Sequence, residues 1–598
     1  MILQALASEY DRLVERGVLA QPGWQPALVS FGLLLNDDGT VRQVMPLLVP
    51  TMRGKKEVLG PQKINVPAQV KRTVGIAANF LCDNSSYILG VDAKGKPQRA
   101  LECFAACRAR HIELLKNCDH PAARAVMRFF ETWQPTDADT VLAEQRDEVL
   151  AGGNLVFLYG DVYVQNIPAV QAVWNAAYAA GGDGEVMQCL VTGERGMIAK
   201  LHPSIKGVVG AQSSGASLVS FNASAFESFG RDGGQGSNAP VSERAAFAYG
   251  AALNYLIADG KHHMRLGDMT VVFWAEDAEP IYAQLFAGMW AGADSESDEP
   301  DLFSMTEDET VSDNDLRLVM EKLANGLDAS WDDIPLHPQN RFYVLGLSPN
   351  AARLSVRFFL CDTFGKFADR MRAHQNRLRI VRPAYEKREE LSVWQLLGET
   401  VNQNARDKSP SPLLAGELMR AILNNAPYPA LLFNQVELRI RADRTVSWRR
   451  AAIIKAYLLN NMRDSANFTQ YKEVLDVELN EQTTYLPYVL GRLFAVLEGI
   501  QQAANPDINA TIRDRYFSSA GATPALVFPQ LLNLAQAHLK KLDTGKRIYH
   551  DKQLVSLTGM IHETYPRQMN LYDQGVFQIG YYHQTQKRYE KKEDKSNG

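Results

Sequence analysis

Cysteine is scarce in this sequence, and long apolar runs are missing. Six cysteines occur in 598 residues, too few and too scattered for a disulfide framework, so we expect a protein of the reducing cytoplasm. The first dozen residues, MILQALASEYDR, lack the basic start and the apolar core of a signal peptide. No run approaches the roughly 18 to 20 apolar residues that cross a bilayer. The sequence therefore predicts an intracellular protein with no membrane partner.

An excess of charge of either sign is also missing. The chain has 63 Lys and Arg against 68 Asp and Glu, a net charge of -5, so it is no polycation. Any contact with nucleic acid must therefore come from local patches. Residues 53–72, 353–455 and 538–598 are basic, and ten acids between residues 294 and 315 balance them. A single charged run is usually a solvated face, but three basic segments favour a polyanionic partner.

Catalytic motifs are missing as well. The stretch GVDAKGK matches a phosphate-binding loop until Pro97, which lacks the hydroxyl group that would hold magnesium. Ala211 stands where a nucleophile elbow requires glycine. Cys103, Cys107 and His111 share one helix face, but positions i and i+8 lie about 12 Å apart and cannot surround one zinc ion. We therefore expect no enzyme, no cofactor and no metal site.

Hydrophobic periodicity predicts an α+β fold. We expect a large mixed N-terminal body with β-sheets and helices at 1–460, followed by an all-α C-terminal helical bundle at 461–598. A further division of the body near 240–335 stays open. In the last part, apolar residues recur at three- and four-residue spacing, as in Val489, Leu493 and Val496. This spacing is typical of a bundle of four or five helices.

Individual elements follow from the same patterns. Residues 25–50 contain two apolar runs around an Asn-Asp-Asp-Gly turn, which predicts a hairpin. Further strands are predicted at 154–168, 186–209, 216–222 and 341–347, and helices at 101–118, 242–258 and 350–377. Residues 233–240 predict a glycine-rich loop, and the acidic stretch at 294–315 predicts a surface loop.

Two polar blocks stand out from this background. The first runs from Lys71 to Gly90 and places a basic pair, two asparagines and an aromatic side chain in a loop that leads into a strand. Lys and Arg bind phosphates, Asn hydrogen-bonds to base edges, and Phe stacks on bases or wedges between them. The structural alternative is a loop with a turn-forming Asp83-Asn84 pair and a buried Phe80.

The second block runs from Leu201 to Pro240 and is rich in glycine, serine and amide side chains. Its glycines would let backbone amides approach a phosphate group or a DNA groove closely. Turn chemistry alone also explains this composition, so both interpretations stay open.

These blocks, in this order, resemble the large subunit of the type I-C CRISPR Cascade surveillance complex over essentially the full length of the chain. The residues that carry the resemblance are Arg72, Asn79 to Asn84 and Tyr87; His202, Pro203, Gln212 to Gly215, Ser220 to Asn222 and Ser228; Asn238 to Ser242; Phe342 to Asn350; Gly491 to Glu498; and Leu571, Gln574 to Phe577 and Gly580 to Gln584.

The resemblance implies a non-catalytic subunit of a guide-RNA complex. Such a subunit lies beside the subunit that holds the 5′ handle of the guide, recognises the PAM in double-stranded target DNA and promotes duplex opening and R-loop formation. It then supports the displaced non-target strand and offers a docking surface to the helicase-nuclease of antiviral defence. The other implied partners are the backbone and small subunits. The C-terminal bundle resembles the small subunit, for which Met462 is a potential internal start.

Within this role, polar residues of the two blocks and of the basic segment before them are predicted to contact DNA. The predicted DNA- or PAM-binding residues are Lys55, Lys56, Lys71, Arg72, Asn79, Phe80, Asn84, Gln212, Ser213, Asn222, Gln235 and Asn238. Lysines and arginines are expected on phosphates, amides on base edges, and Phe80 as a wedge. The basic 353–455 region and the bundle are expected to follow the displaced strand or the heteroduplex.

Two alternatives belong to other functional classes. One is a purely architectural subunit that leaves PAM reading to its neighbours. The other is a stand-alone nucleic-acid enzyme, which would need a metal-binding carboxylate cluster. Residues 294–315 hold the one dense group of acids in the sequence. Salt dependence separates a DNA reader from a scaffold, because only a reader's own Lys and Arg contribute to DNA affinity.

Overall fold

The computed structural model describes residues 1–53, 56–70, 75–92, 96–180, 185–221, 236–277, 280–291, 313–331, 333–386, 390–402, 404–405, 408, 410–466 and 468–589. The chain forms two compact units, residues 1–203 with 219–253 and residues 204–218 with 254–598. Sheets in both units, together with a helical C-terminal part, confirm the predicted α+β class. The boundary expected between residues 460 and 461 stays a prediction.

In its described residues, the first unit contains a seven-stranded sheet, a small two-stranded sheet and seven α-helices of its own. Its strands are β1 (Trp24–Leu35), β2 (Val41–Pro46), β3 (Leu48–Arg53), β4 (Lys56–Pro67), β5 (Cys82–Asp83), β6 (Asn154–Tyr159), β7 (Val162–Tyr163), β8 (Val186–Gln188) and β9 (Arg195–Met197). Its helices are α1 (Ile2–Glu15), α2 (Ser85–Ile88), α3 (Pro97–Leu115), α4 (Pro121–Thr132), α5 (Ala138–Val141), α6 (Arg146–Ala151) and α7 (Pro168–Ala180). Helix α8 (Glu243–Ala258) contributes residues to both units.

Strand β1 is central to the large sheet because it pairs with three other strands. Its first half pairs antiparallel with β4, its second half pairs antiparallel with β2, and β6 runs parallel to it. The β1–β2 pair confirms the hairpin predicted at 25–50. Apolar residues of β1 and β6 pack against α3, α4 and α7 in one core, where Phe129 and Phe130 both meet Phe157 edge-on.

The second unit contains a six-stranded sheet in the order β10-β11-β17-β16-β13-β12. The strands of this unit are β10 (Ser204–Ile205), β11 (Ala216–Ser217), β12 (His263–Leu266), β13 (Met269–Ala275), β14 (Ala329–Trp331), β15 (Ile334–Leu336), β16 (Arg341–Asn350) and β17 (Arg353–Thr363). Its helices are α9 (Pro280–Ala291), α10 (Asp313–Ala324), α11 (Phe364–Leu378), α12 (Val393–Gly398), α13 (Pro412–Leu423), α14 (Ala430–Asp443), α15 (Trp448–Asn461), α16 (Phe468–Val474), α17 (Leu486–Ala504), α18 (Ile512–Ala522), α19 (Pro524–Leu539), α20 (Thr544–Gly559) and α21 (Leu571–Tyr589).

The helix predicted at 350–377 is wrong in its first half. Residues 353–363 of the helix expected at 350–377 form strand β17, and helix α11 begins only at Phe364. Leu354 and Phe358 are both buried, and a spacing of four residues places two side chains on the same face of a helix and of a strand alike. The antiparallel ladder with β16, which runs from Arg341 to Asn350, decides in favour of the strand.

Other local predictions agree more closely with the structure. Helices α3 and α8 and strand β16 lie where 101–118, 242–258 and 341–347 predicted them. The strand expected at 186–209 is broken into β8, β9 and β10, with a turn at Gly193, whose φ is 78°. The acidic 294–315 stretch lies almost wholly outside the described residues.

The C-terminal part is helical, as the sequence predicted. Helices α17 and α21 have 19 residues each, and every residue of α17 from Pro487 to Ile500 is buried. Helices α18 to α21 all pack against α17, which makes α17 the central element of this part. Among the described residues, no helix combines the length and the apolar character that crossing a membrane requires.

Candidate nucleic-acid interface

Part of the first polar block forms a turn at 75–84, here called the 75–84 turn, in which residues 78–83 are buried. Asn79 is 4 % exposed; its side-chain oxygen accepts a hydrogen bond from Val70 N at 2.9 Å, and its own N–H donates to Asp83. Phe80 is fully buried, stacking on Trp174 with 5.5 Å between ring centroids. The structural alternative for Phe80, a buried ring, is therefore what the structure contains, and a wedge role would require Phe80 to leave the core.

Leu81, in the middle of this turn, has the left-handed backbone conformation that favours glycine. Its φ is 58°, and its N–H donates to His111 Nε2 at 2.9 Å. Because Nε2 accepts, the ring proton lies on Nδ1, which donates to the Cys107 carbonyl at 2.7 Å. Burial lowers the pKa of His111 to about 4, so the ring is neutral near physiological pH and keeps its acceptor.

Of the two asparagines in this block that are predicted to read bases, Asn79 is buried and Asn84 is only half-buried. The side-chain oxygen of Asn84 accepts from Ser86 N at 3.1 Å and caps the short helix α2. Its N–H donates to Asp83. Lys71 and Arg72, which are predicted to bind phosphates, lie outside the described residues.

Strands β3 and β4 form a two-stranded ribbon at the edge of the sheet. Residues 62–67 of β4 pair with β1, whereas residues 56–61 pair with β3. Lys56 begins β4 and pairs with Arg53 at the end of the ribbon. Lys55, between them, lies outside the described residues. The sequence indicated basic residues here but gave no indication that Arg53 and Lys56 are paired at the end of a ribbon.

The second polar block is divided between the two units. Gln212 and Ser213 belong to the second unit and are exposed in a turn that Gly215 N closes by donating to Gln212 O at 2.9 Å. Asn238 belongs to the first unit, in a turn in which Ala239 N donates to the carbonyl of residue 236. Asn222 and Gln235 lie outside the described residues.

The turn with Gln212 and Ser213 lies beside the connection between β16 and β17. Strand β11 follows this turn, and its Ser217 pairs with Arg353 and donates its N–H to Ala352 O at 3.1 Å. Lys206 is exposed before the turn, and its N–H donates to Asn254. The structure thus places Arg353 beside the second polar block, which already contains Lys206. Sequence reasoning missed this neighbour because β17 was expected to be a helix.

The cysteine and histidine residues of α3 are packed in the core of the first unit. Cys103, Cys107 and His111 are all buried there, as the sequence interpretation expected. In the part of the chain that the structure describes, no group of three or more His, Cys, Asp or Glu side chains is arranged to hold a metal ion.

A family model described as CRISPR-associated protein (Cas_Csd1) matches residues 6–589, nearly the whole chain. The chain belongs to this family. No curated protein matches the chain. Membership in the Cas_Csd1 family supports the coarser part of the resemblance, the large subunit of a CRISPR Cascade complex that contains guide RNA and other subunits. The type I-C subtype and the DNA contacts of single residues stay predictions.

Proposed function

We propose that this Cas_Csd1 protein is the non-catalytic large subunit of a type I-C Cascade complex, which recognises the PAM in double-stranded DNA and promotes duplex opening. The match to the family along residues 6–589 carries the proposal. In RNA-guided complexes, base pairing reads the long target sequence, and the protein reads only a short flank and the shape of the nucleic acid. Such a role needs a local basic surface and a few exposed polar side chains rather than a catalytic centre.

The turn with Gln212 and Ser213 is the best-supported base-reading surface among the described residues. Both side chains are exposed, in contrast to the buried Asn79 and Phe80. A glutamine amide can hydrogen-bond to both exposed edge atoms of adenine in the major groove. The exposed Lys206 nearby supplies a positive charge for the phosphate backbone.

The β3–β4 ribbon supports a contact with the duplex itself. A two-stranded ribbon fits the major groove of B-DNA, which is about 12 Å wide. Arg53 and Lys56 are paired at the end of this ribbon, and Lys55 lies between them in the sequence. We assign the two lysines to phosphates, where they would guide the duplex without reading its bases.

The proposed partners are the guide RNA, the target duplex with its displaced strand, the backbone, 5′-handle and small subunits, and a helicase-nuclease recruited after target binding. The basic 353–455 region supports a contact with the displaced strand or the heteroduplex. The proposed setting is the cytoplasm, where an antiviral complex meets invading DNA.

The test is binding of duplex targets by the complex assembled with guide RNA. Targets with the correct PAM and with single-base changes in it are compared at several salt concentrations. Gln212→Ala should relax discrimination at one PAM position by roughly 1–3 kcal/mol. The Lys55→Ala, Lys56→Ala double variant should weaken binding to all duplexes alike and reduce the salt slope by about 1 for each phosphate that a lysine no longer binds.

The matched control is Gln536→Ala, which removes another exposed glutamine, on helix α19. It should leave both PAM discrimination and salt dependence unchanged. A wild-type complex that binds every PAM variant equally would contradict the proposed reading role and favour the architectural alternative. Cleavage of DNA by the purified chain with a divalent metal would favour the enzyme alternative.

A further inference from the structure

We propose that His111 is a positioning residue for PAM recognition, because it fixes the 75–84 turn through the backbone of Leu81. This inference rests on the proposed function and extends it to a residue that is too deeply buried to touch DNA: His111 is 0 % exposed. The role of His111 is therefore to hold the chain around Asn84 in one conformation.

The backbone of Leu81 is the feature that requires such a residue. A left-handed conformation is unfavourable for a residue with a Cβ atom, and such residues persist where the surroundings determine the conformation. Leu81 is fully buried, so solvent water cannot accept a hydrogen bond from its N–H. His111 Nε2 supplies the acceptor, and without it a buried donor would stay unpaired.

The imidazole ring itself is held firmly from three sides. Phe80 and Phe130 pack against the ring with 5.1 Å and 4.5 Å between centroids. The Cys107 carbonyl accepts from Nδ1, one turn earlier on the same helix. The ring therefore has one orientation and one tautomer, and its acceptor always faces Leu81.

Further hydrogen bonds hold the residues on either side of Leu81. Asp83 accepts the N–H groups of both Asn79 and Asn84. Asn79 in turn accepts from Val70, the residue before Lys71 in the sequence. These bonds join the middle of the 75–84 turn to Val70, which precedes the turn, and to Asn84 at its end, a predicted base reader.

Helix α3 holds the turn at a second point. Arg99, three turns before His111 on the same helix, donates to the Gly75 carbonyl at 3.2 Å. Gly75 is the first described residue after Arg72. The position of the turn is therefore coupled to a single rigid element, which is the arrangement that precise base reading needs because small displacements break hydrogen bonds to bases.

The test replaces the imidazole with an amide of two lengths. In His111→Gln the amide oxygen reaches the former position of Nε2 and can accept from Leu81 N. In His111→Asn the shorter amide reaches only the former position of Nδ1 and leaves Leu81 N unpaired. Val126→Ala, in helix α4, is the control for a general loss of stability because Val126 is fully buried in the same core.

Two measurements are made on the three variants. The first is the ratio of affinities of the assembled complex for duplexes with correct and altered PAM, beside its affinity for a complementary single strand. The second is hydrogen exchange of residues 75–92 in the free protein. We expect His111→Asn to lower the PAM ratio about tenfold and to speed exchange at 75–92. Single-strand affinity should not change, because base pairing with the guide supplies it.

His111→Gln should stay within about threefold of the wild-type PAM ratio, and Val126→Ala should keep that ratio despite its lower stability. Equal losses in the Gln and Asn variants, or an unchanged ratio in His111→Asn, would overturn the positioning role. A wild-type complex without any PAM preference would refute the proposed function instead. In that case, unchanged exchange in His111→Asn would refute the structural claim as well, and faster exchange would confine His111 to a role in stability.

Discussion

Replacing Gly491 with alanine should push apart the two longest helices of the C-terminal part. Helices α17 and α21 cross at two glycines, each of which faces the backbone of the other helix. A Cβ atom on Gly491 would overlap the Phe577 carbonyl oxygen and lie 2.8 Å from Tyr581 N. A Cβ atom on Gly580 would overlap the Tyr488 carbonyl oxygen. Backbone atoms cannot move aside as a flexible side chain can, so the helices themselves must separate.

Two opposing effects set the size of the change. Alanine is favoured over glycine within a helix by about 1 kcal/mol. Against this, overpacking a close-packed interior costs about 1–3 kcal/mol, and a gap of 0.5–1 Å removes roughly a quarter to a half of the dispersion energy across it. Because every residue of α17 from Pro487 to Ile500 is buried, the separation affects most of the packing of this helix. We expect Gly491→Ala to lower the free energy of unfolding by about 2 kcal/mol or more.

The assay is hydrogen exchange of peptides from α17 and α21 in the full chain, together with urea unfolding followed by helical circular dichroism. Gly416→Ala is the matched control, because Gly416 lies inside helix α13 and its added Cβ would meet Met269 Cε at an ordinary 3.5 Å. We expect Gly416→Ala to raise the free energy of unfolding by up to about 1 kcal/mol, because the higher helix propensity of alanine acts there without steric overlap.

The double variant provides a second check on the same reasoning. Once Gly491→Ala has separated the helices, Gly580→Ala should cost less than it does alone, so the two losses should not add. A Gly491→Ala protein at least as stable as the wild type, or two fully additive losses, would show that the glycine crossing does not limit how closely α17 and α21 pack.

Three further variants test single features of the second unit by urea unfolding. Arg450→Met removes the buried guanidinium that bonds Glu399 at 2.9 Å and Asp443 at 2.5 Å. Arg439 still bonds Asp443, so the carboxylate of Glu399 is the one that loses its cation, and the free energy of unfolding should fall by about 3 kcal/mol. An unchanged midpoint would show that these ion pairs contribute nothing to stability. Burial raises the pKa of Glu437 from 4.5 to about 7, so between these pH values the carboxyl group is protonated in the folded chain and ionised in the unfolded chain. The free energy of unfolding should therefore fall by up to about 3 kcal/mol as the pH rises from 4.5 to about 7. Glu437→Gln should remove this fall, and an equal fall in the variant would refute it. Ser392→Ala removes the N-cap of α12 and should cost about 1 kcal/mol, which Ser392→Asp should restore if capping is the cause.

Whether Phe80 is exposed or buried is a question that the sequence alone could not decide. The local pattern of the first block fitted an exposed wedge and a buried ring equally well, because a loop sequence does not reveal what packs against it. The ring is buried by Trp174 and His111, which lie on helices α7 and α3. The aromatic residues of those helices are visible in the sequence, but their approach to Phe80 depends on the tertiary fold.

The sequence by itself determined the features that depend on neighbouring residues or on composition. The α+β class, the hairpin at 25–50 and the C-terminal helices follow from apolar spacing within a few residues. The ordered polar blocks were enough to indicate the CRISPR-associated family that the match along 6–589 shows.

Only the tertiary structure decided which polar residues are exposed and which are bonded inside the protein. Pairing with β16 made residues 353–363 a strand, and that strand placed Arg353 beside the turn of Gln212. The acceptor on His111, 30 residues beyond Leu81, stabilises a backbone conformation that no local preference of leucine favours. Hydrogen bonds and burial between distant segments outweigh local propensity at these positions, and the pattern of neighbouring residues does not contain them.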